Sequence, residues 1–331
     1  MPPESDATPL DDPWRWKLRL FASADLVGST AFKAAHGDSR WAATFKEFFS
    51  DFPQFVEADY AELPPRLRGS AVRLKPWKFS GDEILFWVEL RSFRHAAAHV
   101  LALKHAIRKF ADVWAAKEIP LRLKATAWLA GFPVTNTEIL IGEPSDAQRK
   151  TLDFIGPSID LGFRIAKFCD ARRFVVSADL ALMLLDAVDA LEVERHHFHI
   201  HLQGREPLKG VIGNEPYPIL WLDMRDGLPL LEERLLGIHR DFRSDDLKDY
   251  LRQFLDDTPK LRRPFIAGDA DHRYGTEDRE LAELREEMRA EETNRHYLSQ
   301  GDSEPASEGA PREPSPPPDK LRPDDLTLGY F

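Results

Sequence analysis

The chain has 331 residues, an apolar fraction of 43% and a formal net charge of -11. That apolar content supports a sizeable core, while the acidic balance argues against a nucleic-acid polymer or an anionic membrane as the main partner. The single cysteine, Cys169, excludes an intramolecular disulfide and reads as a small packing residue in a helix.

The first 13 residues are rich in Pro and Asp and predict a loose leader. They hold no basic segment followed by an apolar stretch, and no apolar run in the chain approaches a bilayer span. A soluble, cytoplasmic protein without a membrane partner is therefore expected. Residues 17–24 read as a strand, and 29–60 as one or two helices anchored by Trp41, Phe45, Phe48 and Phe49. A hairpin is expected from 71–79 and 84–90 around an SGD turn, then a long helix over 93–117 and a strand over 121–130.

Residues 131–150 are polar and without period, which predicts a long arm or flap. Helices follow at 158–168 and 178–188, with a short strand at 174–177 between them. Closing strands are expected at 191–202, 208–211 and 219–222, and two further helices at 230–236 and 244–255. Tight turns join several strands, so the pattern favours a mixed or antiparallel sheet over a doubly wound parallel one. The expected divisions are a leader at 1–13, an α+β domain at 14–224, a helical extension at 225–266 and a largely disordered acidic, Pro-rich tail at 267–331.

Three segments carry chemistry-bearing residues. In ADLVGST, Asp25 stands at a strand end and Gly28, Ser29 and Thr30 open a helix whose free N–H groups suit phosphate. In KFSGDE, Asp82 adds a second acid in a hairpin turn. Carboxylates on neighbouring strand ends can hold two divalent cations for phosphoryl chemistry. Each segment also has a plain reading, as a capped helix start and a common hairpin turn. In LDFIGPSIDLGFRIAKFCD, Asp153 precedes a Gly-Pro turn, and Arg164 lies one helical turn beyond Asp160. That pair reads either as a solvated salt bridge or as an arginine aimed at a polyphosphate. His197, His199 and His201 alternate in HHFHIH; without a cysteine or acidic fourth ligand they read as surface before zinc site.

Taken in this order, the segments resemble the class III nucleotidyl cyclases over about residues 18–222. The family's F-x-D-[ILV]-x-G-[FS]-[TS] is similar to Ser23–Thr30, with Ser23 replacing the Phe. Its K-x-x-G-D hairpin matches Lys78 to Asp82, and the arginine of V-N-x-x-x-R falls on Arg164, with Asp160 in place of the asparagine. The phrases WKFSGDEILF, DFIGPSIDLGFRIAKF and LKGVIGNEPYPILW further resemble the Pycsar pyrimidine cyclases of bacterial anti-phage defence.

The resemblance implies a ferredoxin-like, palm-type α+β fold with a mainly antiparallel sheet. It implies two Mn2+ or Mg2+ ions per site on Asp25, Asp82 and Leu26, and base recognition by Lys78 and Asp153. Phosphate contacts fall on Gly28, Ser29, Thr30 and Lys209 of Leu208–Gly210, and Arg164 and Asp160 are catalytic, the latter through ribose or by orienting Arg164. The strand LRLKATAWLAG offers Arg122 or Lys124 as a further phosphate contact without deciding between them. A homodimer with interfacial sites is implied, acting on a pyrimidine nucleoside triphosphate and feeding a separate effector protein. UTP to 3′,5′-cyclic UMP is favoured; cyclic CMP synthesis is the alternative, and an adenylate cyclase or a silent nucleotide-binding module stand further back. Pyrimidine selection would come from a small pocket near Phe79, Phe154 and Phe49. The aromatic residues Trp14, Trp16, Trp41, Trp77 and Trp87 read as core or dimer contacts.

Overall fold

The computed structural model describes residues 12–68, 73–142, 151–191, 198–224, 244–258, 260–269 and 273–301. Most of the expected leader, the helix at 230–236, His197 and the Pro-rich segment at 302–324 lie outside the described residues. Among the described residues, no helix is long and apolar enough to cross a membrane.

Alternation in the first strand decides the architecture. β1 (Lys17–Val27) sends Leu18, Leu20, Ala22, Ala24 and Leu26 to one side, and Arg19, Phe21, Ser23 and Asp25 to the other. The apolar side is covered by helices. α1 (Ser29–Ala35) and α2 (Gly37–Glu62) follow β1, then α3 (Pro65–Arg68), β2 (Lys75–Ser80), β3 (Glu83–Glu89), α4 (Phe93–Ala116) and β4 (Arg122–Phe132). β1 pairs antiparallel with both β3 and β4, and β2 pairs antiparallel with β3. The unit is thus βαββαβ with strand order 2-3-1-4, the ferredoxin-like arrangement. Phe52 of α2 packs on Phe86 of β3 and on Phe110 of α4, which fixes both helices to the same side.

The rest of the chain widens this sheet and covers part of its other side. β5 (Thr137–Ile141) and β6 (Thr151–Ile155) form a separate two-stranded hairpin. α5 (Pro157–Ile165) follows, then β7 (Arg173–Val176), α6 (Ala178–Leu191), β8 (Ile200–Pro207) and β9 (Pro216–Asp223). β7 pairs parallel with β4, and the seven strands run 2-3-1-4-7-9-8. The fold is therefore α+β with a mixed, mainly antiparallel sheet. α7 (Ser244–Asp257) packs on α6, and α8 spans Arg279–Gly301. By its contacts the chain divides into Met1–Met288, which holds every described strand, and Arg289–Phe331, of which the end of α8 is described.

Three sequence expectations need correction. The strand expected at 191–202 starts only at Ile200 and runs to Pro207, while Leu191 closes α6. The stretch 131–150 is not wholly without regular structure, because TEILI forms β5 and pairs with TLDFI. The expected strand at 208–211 is a turn leading to a 3-10 segment at Ile212–Asn214, with β8 ending at Pro207. Leu208 is buried there without pairing, so its apolarity reflects an anchor and not a strand.

α5 approaches the sheet closely at Gly162. A Cβ there would lie 2.2 Å from the buried Trp128 ring of β4, so only glycine fits. Gly162→Ala is expected to cost about 1–3 kcal/mol through forced movement of a packed ring. Thermal unfolding reads this as a lowered Tm; an unchanged Tm would mean that α5 slides freely on β4.

Candidate active site

The uncovered side of the sheet carries two polar clusters joined by an aromatic floor. The first lies where β1 ends. Gly28 turns the chain from β1 into α1 with φ +86°, a dihedral that glycine supplies, although an added Cβ would meet nothing within 4 Å. Ser29 is buried and Thr30 exposed in the first turn of α1. The Leu26 N–H donates to the Asp82 carbonyl at 3.3 Å, which clips the β1 end to the β2–β3 turn.

Strand register then sets the neighbours. Asp25 stands opposite Glu83 on β3 and Lys124 on β4. Lys124 Nζ lies 2.9 Å from Asp25 Oδ2. Burial pushes the Asp25 carboxyl up; Lys124 pulls it back only in part, and the negative charge of Asp82 adds to the rise. Glu83 is also raised by burial, despite a hydrogen bond from the Ser23 hydroxyl, and the charges of Asp25 and Asp82 raise it further. Burial pulls the Lys124 ammonium down, but its bond to Asp25 outweighs this and holds it above the ordinary lysine value.

Three carboxylates thus share one end of the sheet with one ammonium. Hard oxygen donors gathered at one place, two of them kept from ionising chiefly by burial, suit a divalent cation of the Mg or Mn kind. Among the described residues, no three His, Cys, Asp or Glu side chains gather at metal-holding distance. Asp25 and Asp82, with the Leu26 backbone, are what this chain offers such an ion.

The second cluster sits over β2 and the β5–β6 hairpin. Lys78 Nζ and Asp153 Oδ1 are 3.0 Å apart, both partly exposed. Burial would raise the Asp153 carboxyl, but Lys78 and the Phe154 N–H together hold it below its ordinary value. The hairpin that carries Asp153 is tied to β1: Glu138 of β5 pairs with Arg19 at 2.9 Å and with Lys17 at 3.3 Å. The Arg19 guanidinium lies over Trp87, Phe132 and Phe154 at 4.6, 4.9 and 5.0 Å from their ring centroids. Phe154 is buried by these contacts and is part of the floor, not of an open pocket.

The remaining expected residues are more scattered. Asp160 and Arg164 are both exposed on α5, and among the described residues no ion pair joins them. Lys209 is exposed in the turn after β8, beside Gly210 at φ +77°, away from any contact with either cluster among the described residues. Phe79 is 55% exposed and packs edge-on against Phe49 of α2 at 5.3 Å, on the helix side of β2. It therefore faces away from Lys78 and does not narrow a base pocket with it. His201 stacks on His199 at 4.5 Å and on Trp221 at 4.1 Å.

Sequence reasoning missed Glu83 and left Lys124 undecided against Arg122. Parity puts Arg122 and Lys124 on the same side of β4; register with β1 separates them, setting Lys124 against Asp25 and Arg122 against Val27. Leu140, Ile141 and Ile155 on the hairpin and Phe163 on α5 are apolar side chains left exposed. A cavity of ≈ 1040 Å3, lined by Asp186, Arg252, Arg263 and Tyr274 among others, shares no residue with either cluster.

No protein-family model matches the sequence, and no curated protein sequence matches it. Among solved structures the chain is similar to the adenylyl cyclase CyaB from P. aeruginosa, at 15% identity and TM-score 0.49, over 66% of this chain and 98% of that one. It is similar to the guanylate cyclase domain of RhGC from Catenaria anguillulae in complex with GTP, at 12% identity and TM-score 0.48, over 64% and 100%. The guanylyl cyclase Cya2 aligns at 15% identity and TM-score 0.44, over 66% and 96%. Likenesses at this level assign no activity to this chain.

The carboxylate cluster has a pH signature. Folding raises the Glu83 pKa, so the folded state favours the protonated form. That contribution is fully present below the ordinary glutamate value of about 4.3 and is lost as pH rises through the folded value. Glu83→Gln keeps an acceptor for Ser23 and removes the charge. Its Tm in metal-free buffer is expected to exceed that of the parent at pH 8, with the gain fading as pH falls toward 4. A Tm difference independent of pH would contradict this origin.

Proposed function

We propose that the chain is a nucleotidyl cyclase of the class III kind, and that UTP is its favoured substrate, giving 3′,5′-cyclic UMP and pyrophosphate. The observation that carries this reading is that one side of a ferredoxin-like sheet bears both kinds of group such a site needs, each to be completed by the complementary group of a second copy of the chain. Asp25 and Asp82 are clipped together at the strand ends, and Lys78 and Asp153 form a donor–acceptor pair over the neighbouring strands.

In the proposed reaction the ribose 3′-oxygen attacks the α-phosphorus in line. A P–O bond forms, the bond to pyrophosphate breaks, and the 3′-hydroxyl proton passes to solvent. Divalent cations on Asp25, Asp82 and the Leu26 backbone would supply acidity at the 3′-hydroxyl and charge for the triphosphate. Lys124, already against Asp25, would turn its ammonium to the phosphates once a cation takes over that carboxylate. The N–H groups of Gly28, Ser29 and Thr30 would face the same charge, and Lys209 would reach the triphosphate from its turn. Arg164 would neutralise charge growing on the α-phosphate, with Asp160 orienting it or accepting from the ribose. Exposed, and without an ion pair among the described residues, Arg164 is available to a site completed by a second copy of the chain.

A homodimer follows in this reading from the apolar side chains left exposed beside Asp153 and Arg164. The monomer would then be inactive. Lys78 as donor and Asp153 as acceptor suit uracil, cytosine or adenine and disfavour guanine. The pyrimidine preference, the anti-phage role and a separate effector for the product rest on the resemblance to the Pycsar branch. An adenylate cyclase is the second reading, favoured by that same Lys78–Asp153 pair, which serves the adenine edge equally.

Purified protein with Mn2+ is offered UTP, CTP, ATP or GTP in turn. Cyclic UMP is the expected product, reduced at least about a hundredfold in Asp25→Ala, as befits loss of a group that stabilises developing charge. Cyclic AMP as the main product would move the assignment to adenylate cyclase. No product from any triphosphate, with metal binding retained, would refute the enzyme reading.

A further inference from the structure

β2 leaves regular pairing at Trp77. Pro76 pairs with Phe86 and Lys78 with Leu85, so Trp77 is the extra residue of a bulge. Bulges re-aim side chains and recur beside active sites. Here the result is that Trp77 and Lys78, neighbours in sequence, both reach the uncovered side of the sheet. Trp77 meets Phe21 at 5.4 Å and Phe154 at 5.1 Å, while Lys78 meets Asp153. Phe79, one residue on, is back on the helix side.

Trp77 touches both members of the candidate base-reading pair. The Lys78 ammonium stands 4.0 Å from the centroid of the indole ring. Trp77 also helps to hold the Asp153 carboxyl below its ordinary value, behind Lys78 and the Phe154 N–H. Among the described residues, Lys78 has no other charged or aromatic partner. Its four-carbon stem would otherwise sweep many rotamers, and a donor that wanders cannot read a base edge. Trp77 is itself held edge-on by the buried rings of Phe21 and Phe154.

We propose that Trp77 is the positioning residue of this pair: its ring face and its N–H fix the Lys78 donor and the Asp153 acceptor relative to one another, and so set which base edge is accepted. The inference rests on the cyclase reading above and deepens it. Lys78 and Asp153 touch the base; Trp77 acts through them.

The test compares Trp77→Phe and Trp77→Leu with the parent. Loss of a cation–π contact and a charged hydrogen bond should raise KM for the preferred triphosphate about tenfold in the Leu variant, with kcat within about threefold. Preference over the next triphosphate should fall by about the same factor. Phe keeps the ring face and loses the N–H, so it should fall between Leu and parent. A merely structural Trp77 would lower Tm or kcat and leave KM and base preference unchanged, and that result overturns the proposal.

A second readout needs no turnover. The Asp153 side-chain carboxyl carbon, followed by NMR through a pH titration, should titrate higher in both variants than in the parent. An unchanged titration in Trp77→Phe, whose fold is the better protected, refutes the positioning role whatever the kinetics. A shifted titration in a protein that cyclises no triphosphate upholds the contact network and sinks the cyclase reading.

Discussion

The arrangement of the uncovered sheet side depends on the burial of one guanidinium. Arg19 is almost wholly inaccessible on the central strand, and its Nε and Nη1 have no hydrogen-bond partner. Taking an ion out of water costs several kcal/mol unless something replaces the water. Three ring faces within 4.6 to 5.0 Å and Glu138 at 2.9 Å are the replacement. Arginine tolerates this where lysine would not, since its planar, weakly hydrated cation stacks on aromatic faces and stays charged even when burial lowers its pKa. Because Glu138 sits on β5 and Phe154 on β6, the same burial ties the hairpin to β1. Asp153, between Leu152 and Phe154, thereby gains a fixed position over the sheet.

Once that hairpin is fixed, alternation along the strands distributes the labour. Even-numbered positions of β1 go to the helices and are apolar without exception. From 19 to 25 the odd-numbered ones carry, in order, a guanidinium, a ring, a hydroxyl and a carboxylate. Partners on β3 and β4 follow this split, so the polar groups share their side with buried rings such as Phe21 and Trp128 while the helix side stays apolar. The exception is β2, an edge strand, where Pro76 is tolerated and a bulge breaks the alternation at Trp77. Only an edge strand can absorb such a break without disturbing a second neighbour.

Much of this was legible in the sequence. Helices α2 and α4 and strands β1, β3 and β4 have long, clear periods; tight turns between strands point to a mixed or antiparallel sheet, and the ferredoxin-like α+β arrangement was implied by the resemblance. The β5–β6 hairpin was not legible because each strand is short, Leu140, Ile141 and Ile155 are exposed, and polar residues separate the two halves. The meeting of Lys78 with Asp153 came from a resemblance and not from spacing, since a contact across so many residues has no local signal. Glu83 and Lys124 were missed or undecided for a different reason. Their partnership with Asp25 exists only through the register of three strands, which a linear reading does not contain. Phe79 was misassigned against plain alternation, which puts it on the opposite side of β2 from its neighbour Lys78.

The carboxylate cluster shows where stability yields to chemistry. Asp25 and Glu83 both resist ionisation, chiefly because they are buried. A chain selected for stability alone would not place them together beside Asp82. Lys124 offsets part of the cost, and it does so from the position that a metal-bound polyphosphate would have to share. The ammonium is best understood as a placeholder: it keeps Asp25 charged and ordered in the metal-free protein. Under the proposed function, a cation bound with a triphosphate would satisfy the carboxylates more fully and leave the ammonium to the anion. Charge balance at the strand ends would then be kept, which gives a lysine a use here that a neutral residue lacks.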